Sequence, residues 1–573
     1  MLRTAQAPIG RVISVRGSQA NLGLPISSSQ GAEQLRATVG KFVAIRTGRA
    51  QLIGVITDIS LQPVPSEAAG EKATARLDIV GEIADCDLPS ARFERGVAAY
   101  PVIGDAAALA GPRELAIIFN QRGASAIRIG KLQQDDATAA YVDAADMLSK
   151  HFAVLGTTGV GKSSAVALLL RKMREAHKDL RIFVLDVHNE YGRCFGESAQ
   201  VLSPKTLKLP FWMFNFEETI DILFGGKPSS DEEVEILAEL IPQAKASYAQ
   251  YRTPGERAQL KRAEPRATTY GVDNPVPYRI ADLLSLIDAR MGKLENRSSR
   301  LVHNRLLTRI KTVCEDPRYG FMFENANVGG DTMAEVFSHV FRLPARGVPM
   351  TVMQLAGFPA EVVDAVVSVL CRLAFDFALW SNGASPLLVV CEEAHRYAAA
   401  DRSVGFGPTR RAISRIAKEG RKYGVFLGLV TQRPAELDPT ILSQCSTLFA
   451  MRLTNDRDQA ILRSAVSDAA ADLLSFLPSL GTREALAFGE GVPLPMRLRF
   501  EELPLHLIPR NETLRDEAVQ PGAEIDETFV ASVLDRWRGV TAGPPETAAP
   551  DLAPLQLDPE RFRLLKKQPA PDA

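Results

Sequence analysis

The residues with the clearest chemistry form one glycine-rich loop near position 160. The loop reads Gly156-Thr157-Thr158-Gly159-Val160-Gly161-Lys162-Ser163 and is followed by Ser164. It matches G-x-x-x-x-G-K-[ST], follows the apolar run HFAVL and precedes the helical pattern SAVALLLRKMREA, as a phosphate-binding loop requires. Glycines let backbone N–H groups surround phosphate oxygens, and a helix N-terminus adds partial positive charge. We therefore predict that this loop binds ATP, with Lys162 on the β- and γ-phosphates and Ser163 on Mg²⁺.

A second apolar strand ends in two acids. The run PLLVVC is followed by Glu392 and Glu393, and ligands bind at the carboxyl ends of strands in open α/β sheets. We predict that Glu392 lies near the water shell of Mg²⁺ and that Glu393 polarises the attacking water as general base. A polar loop is the alternative interpretation, which the upstream phosphate-binding loop disfavours.

Two further strand ends are expected at the same edge of the sheet. IFVLD ends at Asp186, and His188 and Glu190 follow it. Asp186 and Glu190 are the better site candidates, because His188 is explained equally well as a satisfied loop residue. VFLGLVT ends at Thr431, so Thr431 or Gln432 could sense the γ-phosphate, although a strand-terminal glutamine is often structural.

One arginine is a candidate for contacting the phosphates of a neighbouring subunit. Arg421 follows Gly420 in the run IAKEGRKYG, where a helix is predicted to end. An arginine projected from such a turn can neutralise charge that develops on a transferring phosphoryl group. A cation that caps the helix C-terminus is an equally good interpretation of Arg421 or Lys422.

The elements that must hold these residues change character along the chain. Residues 9 to about 130 contain short β-branched runs between Gly, Pro, Asn and Ser clusters (IGRVISV, KFVAIRTG, QLIGVITDISL, ARLDIVGEI and VAAYPVIG), which predict a small β-barrel. Beyond about 150, buried strands alternate with helices, which predicts an α/β fold with a mostly parallel sheet. The predicted domains are an N-terminal β-barrel at 1–135, an ATPase core at 136–214 and 346–510, a helical insertion at 215–345, and a C-terminal helix and tail at 511–573.

Composition limits the class of protein. The chain has 573 residues, 46% of them hydrophobic, and a formal net charge of -1, so any nucleic-acid contact must come from a local basic surface. The six cysteines form no C-x-x-C pair, and the most apolar stretch, 351–380, carries charged residues that a single lipid-facing helix would not tolerate. We therefore expect a cytoplasmic protein that has no membrane partner.

Six motifs in order carry a resemblance to a known family. GTTGVGKSS, LDVHNEY, LLVVCEEAHRY, EGRKYG, LVTQRP and RLTNDRDQ, spread over 156–459, resemble the HerA-like branch of the HerA/FtsK motor superfamily. The resemblance implies an additional-strand RecA-like P-loop ATPase that assembles as a homohexamer and moves along double-stranded DNA. It also implies roles for five residues: Lys162 on phosphate, Glu392 and Glu393 as the acidic pair, Gln432 as sensor and Arg421 as the trans-acting finger. Glu392 stands where many P-loop motors have aspartate.

The same resemblance implies a separate effector subunit, a NurA-type nuclease, a sirtuin-type protein or another nuclease, in DNA end processing or antiviral defence. We found no nuclease motif in the chain itself, which fits such an arrangement. An ATP-controlled ring scaffold that switches a partner and translocates little is the alternative function. A conjugation or secretion ATPase of the same superfamily is a further alternative, which the absence of a predicted membrane anchor disfavours.

Two basic stretches are candidates for contacting DNA. The first is the loop 401–411 (DRSVGFGPTRR), which follows the acidic strand and carries Arg402, Arg410 and Arg411. The second lies in the insertion, around Arg297 to Lys311. We favour the first, because a loop anchored to the acidic strand can shift when the γ-phosphate leaves, whereas a basic insertion is more often a solvated face.

Overall fold

The computed structural model describes most of the chain. The described residues are 7–25, 37–48, 50–62, 72–120, 123–225, 230–251, 270–293, 296–324, 330–356, 358, 360–401, 405–466, 472–510, 530, 531 and 534. Three basic residues of the insertion, Lys261, Arg262 and Arg266, and nearly all of the predicted C-terminal segment 511–573 lie outside them.

The N-terminal sheet closes on itself. Its strands are β1 (Gly10–Arg16), β2 (Gln19–Pro25), β3 (Phe42–Thr47), β4 (Ala50–Gln62), β5 (Lys72–Ala84), β6 (Arg92–Arg95) and β7 (Ala106–Leu109). Six of them pair antiparallel in the ring β2–β1–β7–β3–β4–β5–β2, and β6 pairs with β5 outside the ring. Alternate side chains, among them Val12, Leu22, Ile45, Leu52 and Leu77, fill the interior. The predicted small barrel is therefore confirmed.

One predicted barrel strand is wrong. VAAYPVIG was expected to be a strand, yet residues 97–104 form turns and irregular backbone, and the strand β7 begins two residues later. Pro101 lacks the N–H that a ladder position needs. Val102 and Ile103 are 68% and 69% exposed, so their apolar character reflects no buried face.

A short helix and a hairpin link the barrel to the second sheet. They are α1 (Pro112–Phe119), β8 (Ala126–Leu132) and β9 (Asp135–Asp143). Although β8 falls inside the range predicted for the barrel, it pairs with a late strand of the second sheet, Leu498 aligning with Leu132. This pairing places the hairpin on the edge of the core.

The second sheet has eleven strands. The remaining strands are β10 (His151–Leu155), β11 (Arg181–Asp186), β12 (Ala199–Leu202), β13 (Met350–Gln354), β14 (Leu387–Cys391), β15 (Val425–Thr431), β16 (Cys445–Ala450), β17 (Glu484–Gly489) and β18 (Met496–Phe500). Their order is β12-β13-β11-β14-β15-β10-β16-β17-β18-β8-β9, parallel from β12 to β16 and antiparallel beyond. Strands β10 and β14 are buried along their whole length, as strands covered by helices on both faces must be. The predicted α/β fold is confirmed.

Helices cover this sheet and form the insertion. The helices of the core are α2 (Ala144–Ser149), α3 (Lys162–Ala176), α10 (Ala360–Trp380), α11 (Gly407–Glu419), α12 (Pro439–Leu442) and α13 (Asp456–Ala465). Those of the insertion are α4 (Phe216–Phe224), α5 (Asp231–Tyr251), α6 (Ile280–Gly292), α7 (Arg297–Glu315), α8 (Gly320–Phe323) and α9 (Met333–Phe341). No described residue between 215 and 345 belongs to a strand. Among the described residues, none of the helices combines the length and the apolar character needed to cross a lipid bilayer.

A buried ion pair joins the insertion to the core. Glu218 on α4 is fully buried, and Arg372 on α10 donates to it with Nη2 2.8 Å from Oε2. The Ser368 hydroxyl donates to the same carboxylate, and Glu218 also closes a capping box at Asn215. These hydrogen bonds fix α4 against α10.

Candidate functional site

The loop that follows β10 depends on glycine. Gly159 and Gly161 have φ of +78° and +91°, in the left-handed region that other residues avoid. A side chain at Gly156 would place its Cβ 2.8 Å from Cβ of Met451. Gly161 is the N-cap of α3, so the loop leads directly into the unpaired N–H groups of a helix N-terminus. This is the backbone of a phosphate cradle.

Lys162 and Ser163, the first residues of α3, face acidic groups. Lys162 is 8% exposed, and its Nζ donates to the Gly156 carbonyl at 3.4 Å and lies 3.9 Å from Glu393 Oε1. Burial lowers the pKa of Lys162, and the neighbouring glutamates oppose that shift. The Ser163 hydroxyl donates to Glu190 Oε2 at 2.7 Å. Of the candidates after β11, Glu190 therefore contacts the phosphate loop.

Glu392 is buried close to other acidic side chains. Burial, assisted by the charges of Asp186 and Glu190, raises the pKa of Glu392 to about 9. Glu392 is 3% exposed, and its Oε2 has no hydrogen-bond partner among the described residues. A buried carboxylate oxygen without a donor fits the oxygen ligands that Mg²⁺ takes. No group of three or more His, Cys, Asp or Glu in the described parts of the chain could hold a metal ion, and Mg²⁺ usually completes its coordination with waters and phosphates.

Asp186 fixes the backbone of the loop that follows β11 through two hydrogen bonds. It is fully buried and accepts hydrogen bonds from the backbone N–H groups of Glu190 at 3.1 Å and Tyr191 at 2.9 Å. Burial raises the pKa of Asp186, and these two bonds oppose the rise. His188, in the same loop, is 46% exposed at its side chain with Nε2 3.8 Å from Glu393 Oε1. Asp186 thus orients Glu190, and His188 lies beside the site.

Glu393 follows β14 and lies beside His395, which also contacts the end of β15. It has a left-handed backbone, φ +48°. Its Oε2 lies 3.3 Å from Nδ1 of His395, and that nitrogen lies 2.9 Å from Oγ1 of Thr431 at the end of β15. Burial lowers the pKa of His395. Sequence analysis assigned no role to His395, although it lies within the motif EEAHRY.

The tip of β15 touches the phosphate loop. Gln432 accepts a hydrogen bond from the Thr158 hydroxyl through Oε1. The Gly156 N–H donates to the Thr431 carbonyl at 3.2 Å. Lys162, Glu393, Thr431 and Gln432, which come from three separate parts of the sequence, therefore meet at one edge of the sheet.

Arg421 is not part of this cluster. It is exposed in the 3-10 turn Gly420–Tyr423, which precedes β15. Burial lowers the pKa of His151, the first residue of β10, to about 4, and the charge of Arg421 contributes to that shift. Since β10 and β15 are parallel, Arg421 lies at the amino end of the strands, and the phosphate loop lies at their carboxyl end.

Arg483 is a site residue that sequence analysis missed. Its backbone N–H donates to the Val160 carbonyl at 2.8 Å, and its Cγ would lie 3.1 Å from a Cβ at Gly161. Its Nη1 lies 3.1 Å from Glu502 Oε2. No spacing rule connects Arg483 with the phosphate loop, because only the pairing of the late strands brings the turn before β17 beside it.

The part of the chain that contains the phosphate loop is similar in sequence to known proteins. Residues 127–374 match the family described as "Helicase HerA, central domain". The chain carries a P-loop ATPase domain that is similar to HerA. The HerA-like chain is 28% identical over 408 residues to the "Probable helicase MJECL08" of Methanocaldococcus jannaschii, covering 68% of this chain and 72% of that protein.

Two proteins named "DNA double-strand break repair helicase HerA" match it similarly. The Pyrococcus furiosus protein is 27% identical over 412 residues, 66% of this chain and 71% of its own length. The Sulfolobus acidocaldarius protein is 26% identical over 443 residues, 76% and 80% respectively. A solved structure of VirB4 from Thermoanaerobacter pseudethanolicus overlaps 67% of this chain and 98% of its own at 15% identity and a TM-score of 0.47, a likeness too weak to extend the argument. The resemblance predicted from six motifs is confirmed.

Proposed function

We propose that this HerA-like chain is an ATP-dependent double-stranded DNA translocase that works as a homohexameric ring. The observation that carries the proposal is the convergence of Lys162, Glu393 and Gln432 in front of α3. Each of the three belongs to a motif of the family that the chain resembles, and the archaeal relatives are named as helicases.

Each residue then has a defined task. Lys162 neutralises the β- and γ-phosphates, and the N–H groups of 156–164 surround them. Ser163 and Glu392 would hold Mg²⁺, which supplies charge neutralisation on the phosphates when bound. Glu393 orients a water molecule and accepts its proton. Gln432 senses the γ-phosphate by exchanging its bond with Thr158 for one with the nucleotide.

The ring and its partner belong to the same proposal. Arg421 lies too far from its own phosphate loop to serve it, so we assign it to the nucleotide of a neighbouring subunit. A separate effector, a NurA-type nuclease, a sirtuin-type protein or another nuclease, uses the motor in DNA end processing or antiviral defence. Purification of the untagged complex from its native cells, with mass identification of the proteins that accompany it, tests the effector.

Two basic surfaces are candidates for holding DNA. On α11, Arg411 is ion-paired with Glu217 of the insertion, and Arg402 lies outside the described residues. On α7, four cations are exposed and form no ion pair with any described residue: Arg297, Arg300, Arg305 and Lys311. We keep the segment 401–411 as the first candidate because it comes soon after Glu392 and Glu393 in the chain, and we treat α7 as its competitor.

The test compares two triple variants. One carries Arg402→Ala, Arg410→Ala and Arg411→Ala, and the other Arg300→Ala, Arg305→Ala and Lys311→Ala. Loss of phosphate contacts should flatten the slope of log affinity for duplex DNA against log salt by about 0.9 per contact. DNA-stimulated ATPase should fall in the same variant while basal ATPase is kept. Unchanged slopes in both variants, with no stimulation of the wild type by DNA, would favour the scaffold function.

A further inference from the structure

His395 contacts both strand tips of the ATPase site through one nitrogen. Its Nδ1 lies 2.9 Å from Thr431 Oγ1 and 3.3 Å from Glu393 Oε2. Its side chain is 12% exposed, so water has little access to this contact. A neutral imidazole carries one N–H. If Nδ1 carries that hydrogen, it can serve only one of the two oxygens fully.

The carboxylate is the partner that lacks a bond. Glu393 Oε2 is buried and has no hydrogen-bond partner among the described residues. Its other oxygen, Oε1, lies 3.9 Å from Lys162 Nζ and 3.8 Å from His188 Nε2. Buried acceptors without donors are rare because each forfeits its hydration. A small rotation of His395 would therefore give Glu393 Oε2 the hydrogen bond that it lacks.

Thr431 connects the hydrogen bonding of His395 to the phosphate loop. Its Oγ1 also accepts the Arg433 N–H at 3.0 Å, and the next residue, Gln432, accepts from Thr158. A γ-phosphate oxygen only accepts hydrogen bonds, so on binding it would take the Thr158 hydroxyl from Gln432 Oε1. Release of Gln432 would free the end of β15 to shift, and the preceding residue, Thr431, carries the hydroxyl that contacts His395.

We propose that His395 is a positioning residue that couples the tip of β15 to Glu393. Bonded to Thr431, it leaves Glu393 Oε2 without a donor. Turned to Glu393, it fixes the carboxylate in one orientation towards the attacking water. The inference rests on the proposed ATPase mechanism and adds to it a link between γ-phosphate sensing and the general base.

Two pairs of substitutions, one pair at His395 and one at Thr431, separate this role from simple packing. His395→Asn keeps a side-chain N–H near the position of Nδ1, whereas His395→Gln moves the amide to the position of Nε2. Thr431→Ser keeps the hydroxyl that His395 contacts, and Thr431→Val removes it at similar volume. A packing role would rank these variants by size, and the positioning role ranks them by the hydrogen bond that survives.

The experiment measures kcat, KM and equilibrium binding of a non-hydrolysable ATP analogue in the full chain with duplex DNA. We expect His395→Gln and His395→Ala to lower kcat by about 10- to 100-fold, as misplacement of a catalytic group does, with analogue affinity within about twofold of wild type. His395→Asn should recover most of the loss. Thr431→Ser should lower kcat less than Thr431→Val does, and Thr431→Val should have no further effect in the His395→Ala background.

Three outcomes would overturn the inference: unchanged kcat in His395→Gln, equal loss in His395→Asn and His395→Gln, or additive effects of Thr431→Val and His395→Ala. Absence of turnover in the wild type would instead remove the proposed function. Variants that bind the analogue as wild type does are folded at the site, so the comparison does not depend on expression level.

Discussion

Arg421 should act only across a subunit interface, and its distance from the phosphate loop makes this testable. β15 separates the turn of Arg421 from Thr431 and has seven residues, which at about 3.3 Å each span about 20 Å. An arginine side chain does not reach that far. Arg421→Ala and Lys162→Ala should therefore each abolish most turnover, for different reasons: the first protomer lacks the finger, and the second lacks the phosphate lysine.

Mixing the two inactive variants should restore activity. In a ring with head-to-tail interfaces, a site is intact when an Arg421→Ala protomer supplies the phosphate loop and a Lys162→Ala neighbour supplies the finger. Random mixing in equal amounts makes about one quarter of the interfaces intact. The assay measures DNA-stimulated phosphate release over a series of mixing ratios, after subunit exchange has been verified by native mass measurement. Activity should peak near equal amounts, and a flat line at the level of the single variants would refute a trans role and favour the helix-cap interpretation of Arg421.

Three further predictions follow from single contacts. Glu393→Gln should lower turnover by about 10²- to 10⁴-fold through loss of the general base and leave ATP affinity intact, and equal turnover would remove Glu393 from the mechanism. Arg372→Met should lower the free energy of unfolding, measured with urea, by about 3–5 kcal/mol, because Glu218 stays buried without the guanidinium that pairs with it. The control is Lys172→Met at the exposed ion pair with Glu175, which should change the free energy of unfolding by less than about 1 kcal/mol. Gly161→Ala should weaken ATP binding for two reasons: φ of +91° costs a residue with a Cβ about 1–2 kcal/mol, and the new Cβ contacts Arg483. Gly104→Ala is the control, because Gly104 has φ +97° with open space around it in the barrel domain. This variant carries the same backbone strain and should bind ATP normally in the same titration.

The parts of the fold that the sequence predicts well are those whose signal is local. β10 and β14 read as unbroken apolar runs because both of their faces are covered, and this pattern survives in any context. β2 and β7 were missed, since QANLGLP and AAAL are small or interrupted by glycine and become strands only through their neighbours in the closed ring. Strand β8 was assigned to the barrel range because nothing local distinguishes pairing with β18 from pairing with a barrel strand.

The residues of the site also fall into those that a local sequence pattern predicts and those that only the assembled sheet places. The phosphate loop is contiguous, so its residues and spacing predict its geometry, and Glu392, Glu393 and Gln432 follow strands whose ends can be read from the sequence. Arg483 is brought to the loop only by the antiparallel extension of the sheet, which no spacing rule describes. For Arg421 the sequence predicts a turn at an edge of the sheet. Which edge depends on the direction of β15 relative to β10, a property of the assembled sheet.

Glu393 illustrates why a motif alone cannot give the mechanism. A glutamate with φ of +48° is strained by about 1 kcal/mol or more, and such strain persists only where the surroundings fix it. Here the Glu393 carbonyl accepts the Arg396 N–H at 2.8 Å and closes a turn. The resulting backbone holds the carboxylate 3.9 Å from Lys162 and 3.3 Å from His395. The letters EEAH specify an acid after a strand, but only the turn that they form brings that acid between the phosphate lysine and the histidine of the same turn.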